Sequence, residues 1–101
     1  MSVIHVNENN ISSLGKDGRP VLLDFYAEWC GPCRMVAPEI ERLAEENKDI
    51  VVGKVNVESE RTLAQKFRVA SIPTLIVLKD GEVVNRSVGA MPKERILELV
   101  R

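Results

Sequence analysis

Val21-Leu22-Leu23-Asp24-Phe25-Tyr26-Ala27 runs directly into Glu28-Trp29-Cys30-Gly31-Pro32-Cys33, and the reading of this junction decides the fold. The first seven residues are apolar but for Asp24, the pattern of a strand covered on both faces. The residues beyond it set Val36, Ile40, Leu43 and Ala44 at i, i+4, i+7 and i+8, which predicts an amphipathic helix running to about Asn47. Ile50 to Val57 returns to β-branched strand chemistry. A strand, a long helix and a second strand predict a right-handed βαβ unit with a parallel pair.

Working outward toward the N-terminus, Val3 to Val6 reads as a short strand. A helix over Glu8 to Leu14 follows, with Asn7 as its N-cap, and then a loop, Lys16-Asp17-Gly18-Arg19-Pro20. Toward the C-terminus, Ser59 caps a short helix carrying Leu63, Ala64 and Phe67. After Ile72-Pro73, strands over Thr74 to Lys79 and Glu82 to Val88 flank Asp80-Gly81, a pair suited to a tight hairpin whose two central positions need positive φ. A closing helix runs from Pro92 to Val100, with Pro92 in its first turn and Ile96, Leu97, Leu99 and Val100 apolar. The predicted order is βαβαβαββα: an α/β fold with a mixed central sheet and helices on both faces.

The chain of 101 residues suffices for one hydrophobic core, and a single domain is expected over 1–101. At 45% apolar and 29% charged residues it has a globular composition rather than a disordered or membrane one. A formal charge of −1 offers no electrostatic reason to expect nucleic acid or an anionic membrane as partner. No apolar run approaches the roughly 20 residues of a membrane helix. Met1 to Asn7 lacks a basic region followed by a long apolar stretch, so it does not read as a secretory signal. With only two cysteines besides, a reducing cytoplasm is the expected location, where a persistent structural disulfide is unusual.

Those two cysteines carry the chemistry. If the long helix starts at Gly31 or Pro32, Cys30 lies just before it and Cys33 in its first turn. The free N–H groups of a helix start favour negative charge, hence a thiolate at Cys30, and Cys33 one turn on can reach its sulfur. Three other readings stand beside a redox pair. A zinc site needs about four ligands, and His5 is the only other soft one. A structural disulfide here closes too short a loop to restrict the unfolded chain much. Two inert thiols are the third reading, against which Trp29 and Gly31-Pro32 form a turn that displays bulk.

Asp24 interrupts an apolar strand and is expected to face the interior, where burial raises its proton affinity toward neutrality and suits it to accept and donate a proton. The other reading is a strand end that bends and lets Asp24 reach water. Lys54 in the next strand either keeps Asp24 partly ionised or snorkels to solvent. X-Pro bonds are predominantly trans, so the local sequence predicts a trans Ile72–Pro73 bond. Trp29 reads equally as a packing or a recognition residue.

Taken together these residues resemble the thioredoxin family over nearly the whole chain, most closely from Pro20 to Val100. The resemblance rests on Asp24 to Cys33, on Pro38 and Lys54, and on Ile72-Pro73-Thr74, Lys79-Asp80-Gly81-Glu82 and Val88-Gly89-Ala90. It implies a thioredoxin fold and a protein-disulfide reductase working by dithiol–disulfide exchange, with no bound cofactor beyond a redox-active Cys30–Cys33 disulfide. Cys30 would attack, Cys33 would resolve, and Asp24 would help deprotonate Cys33 with Lys54 nearby. Pro73 would be cis, against the local expectation, and would pack beside the dithiol. Ile72 would offer its backbone to a substrate strand, and Trp29, Gly31, Pro32, Gly89 and Ala90 would join Ile72 and Pro73 in an apolar groove. Pro38 would bend the long helix.

The implied partners are proteins with exposed disulfides and a thioredoxin reductase, the chain acting as a monomer. Tyr26 stands where tryptophan is common in the family and Arg34 where lysine is usual. An oxidase or isomerase on the same fold, and a binding subunit in which the dithiol is incidental, remain open at this level.

Overall fold

The computed structural model describes residues 2–101; Met1, part of the N-terminal reading, lies outside the described residues. Five strands, β1 (Val3–His5), β2 (Val21–Tyr26), β3 (Val51–Asn56), β4 (Thr74–Lys79) and β5 (Glu82–Val88), form one sheet in the order β1-β3-β2-β4-β5. Three helices join it: α1 (Gly31–Glu46), α2 (Arg61–Lys66) and α3 (Lys93–Val100). β2 takes the middle position, parallel to β3 and antiparallel to β4, so the expected parallel β2–β3 pair is present. β1 extends the sheet in parallel beyond β3, and β5 closes the other edge as a hairpin with β4. At that hairpin Asp80 and Gly81 both have positive φ, 53° and 81°, as the Asp-Gly pair predicts.

Side chains alternate across the sheet, which gives two cores. Leu22, Val52, Leu75 and Val77 face Val36, Ile40, Leu43 and Ala44 of α1 and Ile96 of α3. Val21, Leu23, Phe25, Val51, Val55, Ile76 and Leu78 face the other way, toward Leu63 of α2. There the Phe25 and Phe67 rings meet at 5.6 Å, tilted by 55°. Each fully buried side chain of this size contributes roughly 1.5–3 kcal/mol. By the same alternation Asp24 falls on the α1 side of the sheet, beside Leu22. Gly53 permits the close packing of β3, since a Cβ there would lie 2.5 Å from Val6 Cγ2 and 3.2 Å from Leu23 Cδ2.

β5 is the thinly covered edge, with Val83, Val84 and Val88 exposed. Two side chains tie it down. The Arg86 guanidinium donates to the carbonyls of Phe67 and Arg68, and Asn85 Nδ2 donates to Leu99 O at 3.1 Å.

Three local expectations change. Instead of a helix over Glu8 to Leu14 there is a three-residue 3-10 turn, Ile11–Ser13. Asn7 Oδ1 accepts the N–H groups of Asn9 (2.8 Å) and Asn10 (3.0 Å), and Asn10 Nδ2 donates to His5 O (2.8 Å). With Asn10 Oδ1 accepting the Asn7 N–H in return (2.9 Å), this is the reciprocal bonding of a helix start, as expected of Asn7, but the poor helix formers Asn9 and Asn10 let the chain continue only as the 3-10 turn. Ser59 does not cap α2: the N-cap position is Glu60, with no side-chain cap bond. The turn before it is closed by Asn56 Oδ1, which accepts from Glu58 N at 2.9 Å and Ser59 N at 3.4 Å. Pro92 precedes α3 as its N-cap residue rather than lying in its first turn.

Candidate active site

The register decides what comes together. Phe25 stands opposite Thr74, so the exit of β2 and the entrance of β4 share one end of the sheet. The chain leaving β2 reaches Cys30, and the chain entering β4 passes through Ile72 and Pro73. The Ile72–Pro73 bond is cis, against the local preference and as the resemblance implies. Pro73 O in turn accepts Gly89 N–H at 2.8 Å, which brings the end of β5 beside the same loop.

Cys30 is the N-cap residue of α1, and its Sγ accepts the Cys33 N–H at 3.2 Å. Pro32 occupies the first turn, where a missing N–H is no loss. The helix runs on through Pro38, which leaves the Arg34 carbonyl without its usual donor four residues later. Cys30 and Cys33 are joined as a disulfide across a Cα–Cα distance of 5.2 Å. Both are buried, at 4% and 3% exposure, although the turn around them is open. The reason is packing: with Ala27 they form a small apolar cluster lined by Tyr26, Val57 and Ile72, and Cys30 Sγ lies 3.9 Å from Ile72 O.

The rim is exposed at Trp29, Gly31, Pro32 and Ala90, and half-covered at Ile72 and Gly89. Trp29 is 64% exposed, yet its Nε1 donates to Glu58 Oε2 at 2.8 Å. Arg34 donates from its guanidinium to Glu28 O at 3.0 Å, holding the loop before the helix.

Asp24 is 1% exposed, and neither carboxylate oxygen has a hydrogen-bond partner in the protein. Burial therefore pushes its carboxyl from the ordinary 3.8 up to about 6, with the Lys54 charge pulling the other way. Asp24 faces inward as the apolar strand predicts; it does not bend to solvent. It opens onto a hollow of about 150 Å³ that Cys33, Tyr26, Arg34 and Lys54 also line. Such a hollow has room for a few waters at roughly 30 Å³ each.

Lys54 is the register partner of Asp24 on β3, but the two make no ion pair. Its ammonium sits over the Tyr26 ring, 4.5 Å from the centroid, between the two alternatives read from the sequence. Among the described residues no group of three or more His, Cys, Asp or Glu side chains comes together, and His5 lies exposed on β1.

Two participants had no sequence signal. Glu58 reaches Trp29 across 29 positions, a contact set by the β3–α2 loop. Tyr26 reads as part of an apolar strand and as a departure from the family's usual tryptophan, and its place at the Lys54 ammonium follows from the β2–β3 register.

Comparison with known proteins agrees with this geometry. The family model described as Thioredoxin matches residues 2–101. The thioredoxin of Bacillus subtilis (strain 168) is 46% identical over 101 residues, covering 99% of this chain and 96% of that protein. The thioredoxin of Mycobacterium tuberculosis (strain CDC 1551 / Oshkosh) is 51% identical over 80 residues, covering 78% of this chain and 69% of that one. Among solved structures, a single-substitution mutant of thioredoxin from Halobacterium salinarum NRC-1 superposes with a TM-score of 0.91 at 36% identity, covering 98% of this chain and 88% of that one. The mixed five-stranded sheet with helices on both faces is thus the fold that the resemblance implies.

Proposed function

The chain belongs to the thioredoxin family and is a thiol–disulfide oxidoreductase, and from that premise we propose how its residues divide the reductase reaction. The observation that carries the reading is that one sulfur, Cys30 Sγ, is both the cap of α1 and half of the disulfide with Cys33. A thiolate at that position takes the Cys33 N–H as a charge-assisted bond and faces the N-terminal end of the helix dipole.

In the reduced protein the Cys30 thiolate attacks one sulfur of a substrate disulfide. An S–S bond forms between protein and substrate, and the substrate's other sulfur leaves as a thiolate that takes a proton from water. Cys33 then gives its proton to the Asp24 carboxylate, through water in the hollow they share. The Cys33 thiolate attacks Cys30, the mixed disulfide breaks, and the second substrate thiolate departs. Two electrons have passed to the substrate, and the chain is left as the Cys30–Cys33 disulfide of this structure. A carboxyl titrating at about 6 is ionised at neutral pH and ready to accept.

Trp29, Gly31, Pro32, Ile72, Gly89 and Ala90 form the rim against which a substrate strand lies, over a buried Pro73, with the Ile72 backbone pairing to the strand. Partners are proteins with exposed disulfides and a thioredoxin reductase that returns the dithiol; the chain works as a cytoplasmic monomer. No helix among the described residues is long and apolar enough to cross a membrane.

Mixing the reduced Cys33→Ser variant with a disulfide-bonded protein tests the division of labour. It should accumulate a covalent mixed disulfide through Cys30, visible on a non-reducing gel, while Cys30→Ser should neither react nor trap. Reduction at the unaltered rate by Cys30→Ser would sink the scheme.

A further inference from the structure

Lys54 is half-buried, and among the described residues its ammonium makes no ion pair or hydrogen bond. The one attractive partner placed against it is the face of the Tyr26 ring, 4.5 Å away. Tyr26, Asp24 and Lys54 share the α1 side of the sheet because Asp24 pairs with Lys54 in register and Tyr26 follows Asp24 by two. All three line the hollow that contains Cys33. The charged and titratable groups facing Asp24 there are Lys54 from β3, Tyr26 from its own strand, Glu28 from the loop, and Arg34 and the disulfide-bonded Cys33 from α1. Arg34 is turned to the Glu28 carbonyl, so Lys54 is the cation whose placement remains to be set.

We propose that Tyr26 is a positioning residue for the proton transfer: its ring face holds the Lys54 ammonium at the mouth of the hollow that Asp24 and Cys33 share. The alternatives for a four-methylene stem are water or a direct pair with Asp24. Water costs the ammonium nothing, whereas a direct pair requires desolvating it beside a buried carboxylate. Without the ring, the ammonium therefore leaves for solvent rather than moving inward. The Lys54 charge opposes the effect of burial on Asp24, so its departure raises the carboxyl further. The ring thus governs how much of Asp24 is ionised when Cys33 must lose its proton. This inference rests on the assignment of Asp24 as the proton acceptor.

The test is a carboxyl-carbon NMR titration of Asp24 in the oxidised protein, where neither thiol titrates and no exchange takes place. Tyr26→Leu should raise the Asp24 midpoint by at least about 0.4 in pH, the equivalent of the low end for a cation–ring contact. Lys54→Met should raise it by as much or more. Tyr26→Phe, which keeps the ring and loses the hydroxyl, should leave it in place. Adding Tyr26→Leu to Lys54→Met should produce no further rise. A midpoint that stays or falls in Tyr26→Leu, or that rises equally with and without Lys54, overturns the proposal. Should Tyr26→Leu fail to fold, Tyr26→Met carries the same comparison. Because thiol exchange is absent from this measurement, its failure leaves the serine-variant test of the exchange scheme standing by itself.

Discussion

Replacing Asp24 with asparagine should stabilise the protein at neutral pH and leave its stability almost unchanged near pH 3. In the native state the carboxyl holds its proton up to about 6, whereas in the unfolded chain it releases it near the ordinary 3.8. Between those values the native state binds more protons than the unfolded one, so stability falls as pH rises through the window. Below it both states are protonated and the penalty vanishes; above it the penalty is complete. A rise of about two pH units corresponds to about 3 kcal/mol. Asparagine matches the size of the protonated acid, is neutral throughout, and inherits the same lack of hydrogen-bond partners. The difference between variant and unaltered protein should therefore climb from near zero at pH 3 to about 3 kcal/mol above pH 7. Urea unfolding of the oxidised proteins, followed by far-UV circular dichroism across this range, reads it directly. A difference flat with pH, or one favouring the carboxylate at high pH, would refute the argument, since it would mean that Asp24 is solvated or paired.

The same substitution should slow release from the mixed disulfide at neutral pH, by no more than about 100-fold because water can take the Cys33 proton instead; rapid-quench trapping of the mixed disulfide measures this. Gly53→Ala should lose roughly 1–3 kcal/mol in urea unfolding, since its Cβ would meet Val6 and Leu23 in a packed core. Trp29→Phe keeps the aromatic face but removes the N–H that Glu58 accepts. It should raise KM for a disulfide-bonded protein about 5-fold, the equivalent of ~1 kcal/mol, with kcat nearly unchanged in a reductase-coupled assay.

The parts of the fold that could be read from sequence are those where periodicity and burial agree. β2 reads as apolar on both faces because it is the middle strand, α1 reads from the spacing of Val36, Ile40 and Leu43, and the hairpin reads from Asp80-Gly81. Reading fails where asparagine side chains close short turns. Asn7 and Asn10 bond each other as at a helix start, yet the segment continues only as a 3-10 turn, and Asn56 closes the turn expected of Ser59. Propensity marks such residues as turn or cap formers without saying which, since the choice depends on where β1 and β3 deliver them. The inward placement of Asp24 was legible from its strand. The cis Ile72–Pro73 bond was not legible locally, because the usual preference is trans; only the family pattern implied it. Trp29–Glu58 and Tyr26–Lys54 join residues 29 and 28 positions apart, so nothing local to either residue announces them.

The middle position of β2 has a further consequence for how the molecule breathes. A strand bonded on both sides and covered on both faces opens only with the whole molecule, whereas the exposed edge β5 can open locally. Amide protons of Leu22 to Phe25 should accordingly exchange with solvent last, and those of β5 much sooner. The carboxylate proposed to accept the proton therefore sits in the part of the chain least able to fluctuate, with the two sulfurs just beyond its end. On the proposed rim, accommodation to partners of different shape would fall to the exposed surface at Trp29, Pro32 and Ala90. Differences in partner choice among related chains are expected to be written there, over a chemical centre that the sheet holds constant.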